Sequence, residues 1–180
     1  YNVPDYGSET VAEYTIALLL ETAKRLEKDL GKNPNAEGGT RGLELKGKTL
    51  GVVGAGKIGR EVLRRAKAFD MEPLAYDPYP IEEKAEEIGY EYVELDELLR
   101  NSDFITVNCP LVESTHHLIS EKEFDLMENV VFINTARGPV VNTEDLKQGL
   151  GYGSVRYAAV DVIEDGEYED LSNIENISFT

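Results

Sequence analysis

The sequence predicts an α/β fold built on a doubly wound parallel sheet, and three observations support this prediction. Short apolar runs typical of buried strands alternate with amphipathic stretches typical of helices over most of the chain. One such run, Thr49–Val53, leads directly into a glycine-rich turn. An acidic residue, Asp77, immediately follows the next run, Glu72–Tyr76. Because this is the order of a dinucleotide-binding unit, we expect a single Rossmann domain with right-handed crossovers.

The remaining elements follow from the spacing of the apolar residues. A helix is predicted at Val11–Leu26, with Ser8 or Thr10 as its cap, before the first strand of the nucleotide-binding unit. Because it lies outside that unit, its apolar face needs cover from the sheet or from a second copy of the chain. Further strands are expected at Tyr90–Val93, Phe104–Val107, Val130–Asn134, Tyr157–Val160 and Ile177–Phe179, and further helices at Ile58–Phe69, Ile81–Ile88, Leu95–Arg100, Ser120–Met127 and Thr143–Leu150.

The chain divides into three parts. Residues 1–30 form a lead-in and the first helix. Residues 31–42, GKNPNAEGGTRG, form a glycine-rich linker. Residues 43–180 form the nucleotide-binding domain.

The acidic composition excludes several partners. Lys and Arg number 18 against 35 Asp and Glu, which gives a formal net charge of −17. Such a surface repels nucleic acid and anionic lipid, so we expect neither as a partner. The longest apolar run, Ile16–Leu20, is too short to span a bilayer, and no signal peptide is recognised. Because Cys109 is the single cysteine, we expect a reducing, cytoplasmic compartment.

The glycine turn has the spacing G-x-G-x-x-G at the end of a predicted strand. Gly54 allows the tight turn, Gly56 lets the backbone approach a pyrophosphate, and Gly59 lets the next helix pack on the strand. Lys57 and Ile58 begin that helix, where unpaired N–H groups and the helix dipole favour a phosphate. The turn therefore predicts a dinucleotide site.

The carboxylate of Asp77 selects the cofactor. It is expected to accept hydrogen bonds from the ribose hydroxyls of an adenosine and to repel a 2′-phosphate, so NAD is predicted in preference to NADP. The alternative is that Asp77 only opens a turn before Pro78.

Several longer stretches match a known family. They are YGSETVAEYTIALLL, GKTLGVVGAGKIGR, AYDP, NCPLVESTHHLIS, VFINTARGPVVN and RYAAVDV, and INTARG is the most specific of them. Over nearly its whole length the chain resembles the nucleotide-binding domain of the D-isomer-specific 2-hydroxyacid dehydrogenases. The resemblance implies hydride transfer between NAD and a 2-hydroxy or 2-keto acid, and a homodimer whose subunit contact lies near the first helix. The family's substrate-binding domain is expected to be absent from this stretch.

The resemblance also implies roles for single residues. Arg137 matches the arginine that holds the substrate carboxylate, a role for which a planar, permanently charged guanidinium is suited. Asp161 matches the residue that accepts from the nicotinamide carboxamide. The cofactor site is expected to include, in addition, Cys109, Pro110, Thr115, Thr135 and Ala136.

The acid–base residues depart from the family pattern. The family's catalytic glutamate usually lies five places after the aspartate matched by Asp161, where this chain has Gly166. Glu167 is one place later and Glu164 two places earlier, and we choose Glu167 as the candidate. The family's histidine follows the last strand in a Thr-Pro-His sequence, beyond Thr180, so we expect the isolated chain to lack activity.

Neither histidine of the chain is expected to replace the missing one. His116 and His117 match a non-catalytic stretch of the family, and two adjacent histidines are too few for a metal site, which needs three or four ligands. Two other functions compete with the dehydrogenase reading. One is an NAD-dependent protein-binding module like the dehydrogenase-like corepressors, and the other is a methyltransferase with a similar glycine loop, which INTARG and Asp77 argue against.

Overall fold

A computed structural model of the chain describes residues 7–26, 42–164, 171 and 174–179. Within them, seven strands form one sheet in which every pairing is parallel. The strands are β1 Thr49–Val53, β2 Glu72–Tyr76, β3 Glu91–Tyr92, β4 Phe104–Val107, β5 Val130–Asn134, β6 Val155–Val160 and β7 Ile177–Phe179. Their spatial order is β3-β2-β1-β4-β5-β6-β7, so the winding reverses between β1 and β4. The predicted doubly wound parallel sheet is confirmed.

Helices cover both faces of the sheet. The described helices are α1 Ser8–Lys24, α2 Lys57–Ala68, α3 Glu82–Ile88, α4 Leu95–Asn101, α5 Glu121–Phe124 and α6 Thr143–Tyr152, with short 3-10 turns at Glu113–Thr115 and Gly138–Val140. Alternate residues of β5 enter opposite cores: Val131 and Ile133 pack with α1 and α2, while Val130 and Phe132 pack with α4, α5 and α6. In the described part of the chain, no helix is both long and apolar enough to cross a bilayer.

Helix α1 differs from its prediction at both ends. It begins three residues early and is capped by Gly7, at φ 122°, so neither Ser8 nor Thr10 is the cap. The carbonyl of Gly7 accepts a hydrogen bond from the N–H of Val11 at 2.8 Å. The helix ends at Lys24, two residues before the predicted end, and Arg25 caps it in a left-handed conformation with φ 56°. The cap prediction was wrong because a glycine, free to adopt positive φ, precedes the serine.

The buried face of α1 is covered within the chain. The helix packs on α2 and on strands β5 and β6. Ala12, Ile16, Leu19 and Ala23 are buried there, whereas Leu26, the last residue of the predicted helix, is 48% exposed. The sheet and α2 therefore cover the apolar face of α1 within the chain.

Other boundaries shift by a few residues. Helix α5 stops at Phe124 instead of Met127, because the chain then passes into turns with i to i+3 hydrogen bonds: Leu126 donates to Glu123, and Met127 donates to Phe124. Strand β3 has two residues instead of four, and β6 begins two residues earlier than expected, at Val155.

The predicted linker, residues 31–42, lies outside the described residues except for Gly42. The chain is described again where it meets the end of α1. There the N–H of Leu43 donates to the carbonyl of Ala23 at 2.7 Å. The ammonium group of Lys24 donates to the carbonyl of Leu43 at 2.8 Å. These two bonds hold the residue that leads into β1 against the helix.

Gly51→Ala should destabilise the fold, because α4 packs directly on β1 at this glycine. A Cβ at Gly51 would lie 2.5 Å from Cδ2 of the fully buried Leu98 and would also meet the hydroxyl of Ser102. We expect a loss of about 1–3 kcal/mol in the free energy of unfolding, measured by urea denaturation. Gly151→Ala in α6 is the control, since its Cβ would enter open space. Equal stability of the two variants would contradict the packing.

Candidate nucleotide-binding site

The glycine turn between β1 and α2 is a close approach of backbone segments. Gly54 has φ +98°, and a Cβ there would lie 2.7 Å from the backbone nitrogen of Cys109. A Cβ at Gly59 would collide with the carbonyl oxygen of Gly54. Gly56 differs from both: it is exposed, and a Cβ there would meet no atom within 4 Å. Two glycines thus let the chain pack on itself, and the third leaves a strip of backbone open beside the start of α2.

Asp77 is tied to this turn. Its Oδ2 accepts from the N–H of Ala55 at 2.9 Å, and its Oδ1 accepts from the N–H of Tyr79 at 2.9 Å. The second bond is the turn that we considered as the alternative, and the first joins the carboxylate to the glycine turn. A carboxylate has about four lone-pair sites, so both oxygens keep capacity for a ligand. Arg60 braces the same turn by donating to the carbonyl of Ala55 at 2.7 Å.

A buried polar chain connects α1 to the carboxyl ends of β4 and β5. The hydroxyl of Thr15 donates to the carbonyl of Val11 at 2.8 Å, so its oxygen is left to accept from the hydroxyl of Thr135 at 2.8 Å. The amide of Asn108 donates to Thr135 at 3.3 Å and accepts from the hydroxyl of Thr106 at 3.2 Å. The bond from Thr15 to Val11 sets the direction between the two threonines, and the amide group of Asn108 sets the direction of the other two bonds. The network fixes the strand ends relative to the helix.

The turn that carries Arg137 is held from both sides. The side chain of Asn134 accepts from the N–H of Ala136 at 3.0 Å, and its amide donates to the carbonyl of Arg137 at 3.4 Å. Gly138 lies against the carbonyl of Ile163, where a side chain would have no room. The guanidinium of Arg137 is exposed and donates to the carbonyl of Ala136 at 2.6 Å.

Two recesses meet at the glycine turn. The first, of about 670 Å³, is lined by α1 on one side and by the Arg137 turn on the other. The second, of about 520 Å³, lies between Asp77 and the chain that follows β4. Both have the size of a small-molecule site. Their common wall consists of Gly56, Asn108, Cys109 and Pro110.

Most of the predicted cofactor residues gather in these recesses. The first holds Lys57, Ile58, Thr135 and Ala136 together with Arg137, and the second holds Gly54, Asp77 and Thr115. Asp161 is exposed at the end of β6, where its N–H donates to the carbonyl of Asn134 at 3.0 Å. The candidate Glu167 lies outside the described residues.

Cys109 is a packing residue in the common wall. Burial raises the pKa of its thiol to about 11, so the thiol is neutral at physiological pH. Its backbone and Cβ form the surface on which Gly54 rests. A neutral, buried thiol is not suited to act as a nucleophile.

Sequence reasoning missed three groups that the structure brings to the site. Ser8 and Val11, at the start of α1, line the first recess. Thr15 joins the buried network from the same helix. A buried threonine in the middle of an apolar helix face was the available signal, but its partner Thr135 is 120 residues away.

The open backbone at Gly56 fits a dinucleotide. This backbone lies at the start of a 12-residue helix, where the first N–H groups have no intrahelical acceptor and the dipole favours a phosphate. An acid stands at the end of β2, and a recess lies on either side. Together with the parallel sheet, these features define a dinucleotide-binding domain of the Rossmann class.

Comparison with known proteins specifies the family. Residues 16–180 match the family model described as D-isomer specific 2-hydroxyacid dehydrogenase, NAD binding domain. A protein of Staphylococcus aureus (strain N315) named as a 2-hydroxyacid dehydrogenase is 40% identical over 188 aligned positions, which cover 99% of this chain and 59% of that protein.

Solved structures agree with this match. The apo-structure of D-lactate dehydrogenase from Escherichia coli superposes with a TM-score of 0.89 at 38% identity, covering 99% of this chain and 58% of that one. D-lactate dehydrogenase from Aquifex aeolicus, complexed with NAD and lactic acid, gives a TM-score of 0.88 at 35% identity and covers 99% and 60%.

The chain therefore belongs to the D-isomer specific 2-hydroxyacid dehydrogenase family and matches its NAD-binding domain. It spans about 59% of the length of the curated relatives it matches.

Gly56→Ala should weaken NADH binding without destabilising the fold. The added methyl group would enter the open space over the backbone strip, where no atom of the described residues lies within 4 Å. We expect at least about a tenfold increase in the Kd for NADH, measured by fluorescence titration, because crowding of this kind costs about 1–3 kcal/mol. Gly151→Ala is again the control. Unchanged NADH affinity in Gly56→Ala would place the phosphates elsewhere.

Proposed function

We propose that this chain binds NAD across the glycine turn and serves hydride transfer between NAD and a 2-hydroxy or 2-keto acid. The observation that carries the proposal is the open backbone of Gly56 at the start of α2, with a recess on each side. When bound, the nicotinamide supplies or accepts the hydride.

The chain's own residues then have separate tasks. The first turn of α2, including Lys57 and Ile58, offers backbone donors to the phosphates. Asp77, already fixed by Ala55 and Tyr79, offers its remaining lone pairs to the ribose hydroxyls. Its negative charge disfavours a cofactor with a 2′-phosphate. The side of the cofactor near Asp77 therefore determines which dinucleotide is accepted.

The opposite end of the first recess is suited to the acid substrate. Arg137 projects from a turn that is held by Asn134 and by the close packing of Gly138 on Ile163. A guanidinium in a fixed position can bind a carboxylate through two parallel hydrogen bonds and so orient the adjacent carbonyl. Asp161, at the end of β6, is proposed to accept from the nicotinamide carboxamide.

The proton that accompanies hydride transfer needs an acid–base group. His116 and His117 do not line either of the two recesses. Glu164 is engaged with His117, with 3.0 Å between its Oε1 and Nε2 of the ring. We propose that Glu167, the candidate from the resemblance, assists this group.

The competing functions have less support. Both the family model and the curated relatives reported above carry dehydrogenase names, which does not favour a corepressor-like binding module.

A reducing, cytoplasmic compartment is supported by the single cysteine, which is a buried free thiol.

A homodimer is proposed from the resemblance alone, because the buried face of α1 is already covered within the chain. The outer side of the helix carries Tyr14, which is 37% exposed and available to a partner. Sedimentation equilibrium at high protein concentration should show a dimer. A monomer at every concentration would remove this proposal and leave NAD binding untouched.

Asp77→Asn should reduce affinity for NADH and narrow the preference over NADPH. The variant removes a charged acceptor, and a hydrogen bond to a charged group contributes about 1.5–3 kcal/mol. It retains one side-chain oxygen that can hold a backbone N–H. Calorimetric titration with both cofactors is the measurement, and Asp125→Asn on α5's exposed end controls for the change in net charge. If both cofactors lose affinity equally, Asp77 does not contact the ribose.

Arg137→Ala should abolish binding of pyruvate, used as a small 2-keto acid, to the NADH-saturated chain. Arg137→Lys should restore only part of it, since an ammonium group keeps the charge but lacks the bidentate geometry. Calorimetry with NADH present gives the affinity, and NADH binding itself should stay unchanged in both variants. Arg64→Ala, on the outer face of α2, is the matched control. Full pyruvate affinity in Arg137→Ala would contradict the assigned role.

A further inference from the structure

His116, His117 and Glu164 form a cluster outside the two recesses. One ligand atom from each lies within 4.8 Å of the other two. The histidines come from the chain after β4, and the glutamate comes from the end of β6, 47 residues away. The fold therefore brings together three groups that each can ligate a metal. We call these residues the His–His–Glu cluster.

The spacing within the cluster suits a metal ion. Nε2 of His117 is 3.0 Å from Oε1 of Glu164. Bonds of about 2.0–2.2 Å to a tetrahedral cation place neighbouring ligand atoms roughly 3.3 Å apart. This pair is thus close to one edge of a coordination polyhedron before any ion is added. The ring of His116 is exposed, its centroid is 4.1 Å from that of His117, and its ligand atom lies within 4.8 Å of the other two.

The backbone fixes both arms of the cluster on the same turn. His117 has φ +49°, an unusual conformation for a residue with a side chain, and its N–H donates to the carbonyl of Pro139 at 2.8 Å. On the other arm, Ile163 packs against Gly138, where a Cβ would lie 2.7 Å from the backbone nitrogen of Glu164. The cluster consequently lies astride the turn that follows Arg137.

The donor types restrict the cation. Two imidazoles and one carboxylate suit Zn²⁺ and its first-row neighbours, whereas Mg²⁺ and Ca²⁺ prefer oxygen ligands. A formal net charge of −17 attracts cations to the chain in general, so donor type, not charge, must supply the selectivity.

A hydrogen bond between the ring of His117 and the carboxylate of Glu164 explains only two of the three residues, because it gives His116 no part. We infer that the His–His–Glu cluster binds a divalent transition cation of the Zn²⁺ class, with water in the remaining coordination positions. Occupancy would join the chain after β4 to the end of β6 and stiffen the turn that carries Arg137. This inference goes beyond the proposed NAD function and does not depend on it.

The test is thermal unfolding of the tag-free 180-residue chain with ZnCl₂, together with visible absorption after addition of CoCl₂. Excess Zn²⁺ should raise the unfolding midpoint by at least about 5 °C, and Co²⁺ should give ligand-field absorption. His116→Ala should lose both signals while its metal-free midpoint stays that of the parent chain, because the pair of His117 and Glu164 remains. Glu164→Gln, which keeps a hydrogen-bonding oxygen, should raise the Kd for Zn²⁺ at least about tenfold.

Glu113→Gln is the matched control, since it removes a carboxylate from the same loop outside the cluster. It should keep the full response to Zn²⁺. The site is supported if His116→Ala and Glu164→Gln lose the response to Zn²⁺ while Glu113→Gln keeps it. The inference is overturned if millimolar Zn²⁺ gives no shift, if His116→Ala responds like the parent chain, or if Mg²⁺ gives an equal shift.

Discussion

The close approach of backbone at the glycine turn is the constraint on which the other features of the site depend. Gly54 packs against Cys109, and Gly59 packs against Gly54. The end of β1, the end of β4 and the start of α2 are therefore in direct contact. A side chain at Gly59 would push α2 away from the turn, and a side chain at Gly54 would push the turn away from the chain after β4. This packing holds the first turn of α2 at the edge of the sheet. The exposed Gly56 therefore faces the space where a phosphate is expected.

A second constraint acts from the opposite side. Thr15 on α1 is bonded through Thr135 to Asn108, which places three separate chain segments in one buried network. In an apolar core such a network is stable only when each polar group has a hydrogen-bond partner. The network therefore favours one position of α1 on the sheet. This explains how a helix that precedes the nucleotide-binding unit in sequence becomes a wall of its first recess.

What the sequence could predict depended on the distance between partners. The close packing at Gly54 and Gly59 and the position of Asp77 beside the glycine turn were accessible because strand, turn and acid lie close together in sequence and in a fixed order. The contact of Thr15 with Thr135 spans 120 residues, and that of His117 with Glu164 spans 47. The spacing of residue types along the chain does not reveal such pairs, since they form only when separate strand ends come together. The prediction of the α1 cap failed for a local reason, namely that Gly7, which can adopt positive φ, precedes Ser8 and caps the helix in its place.

The two bonds between the end of α1 and Leu43 have a consequence for how the protein can change. Leu43 donates to the carbonyl of Ala23 at 2.7 Å and accepts from the ammonium group of Lys24 at 2.8 Å. The two ends of the intervening segment are therefore held close together. For flexible loops in general, each doubling in length costs only about 0.6 kcal/mol in closure entropy. Because both ends are anchored by described residues, the length of chain between them can change while β1 and α1 keep their positions.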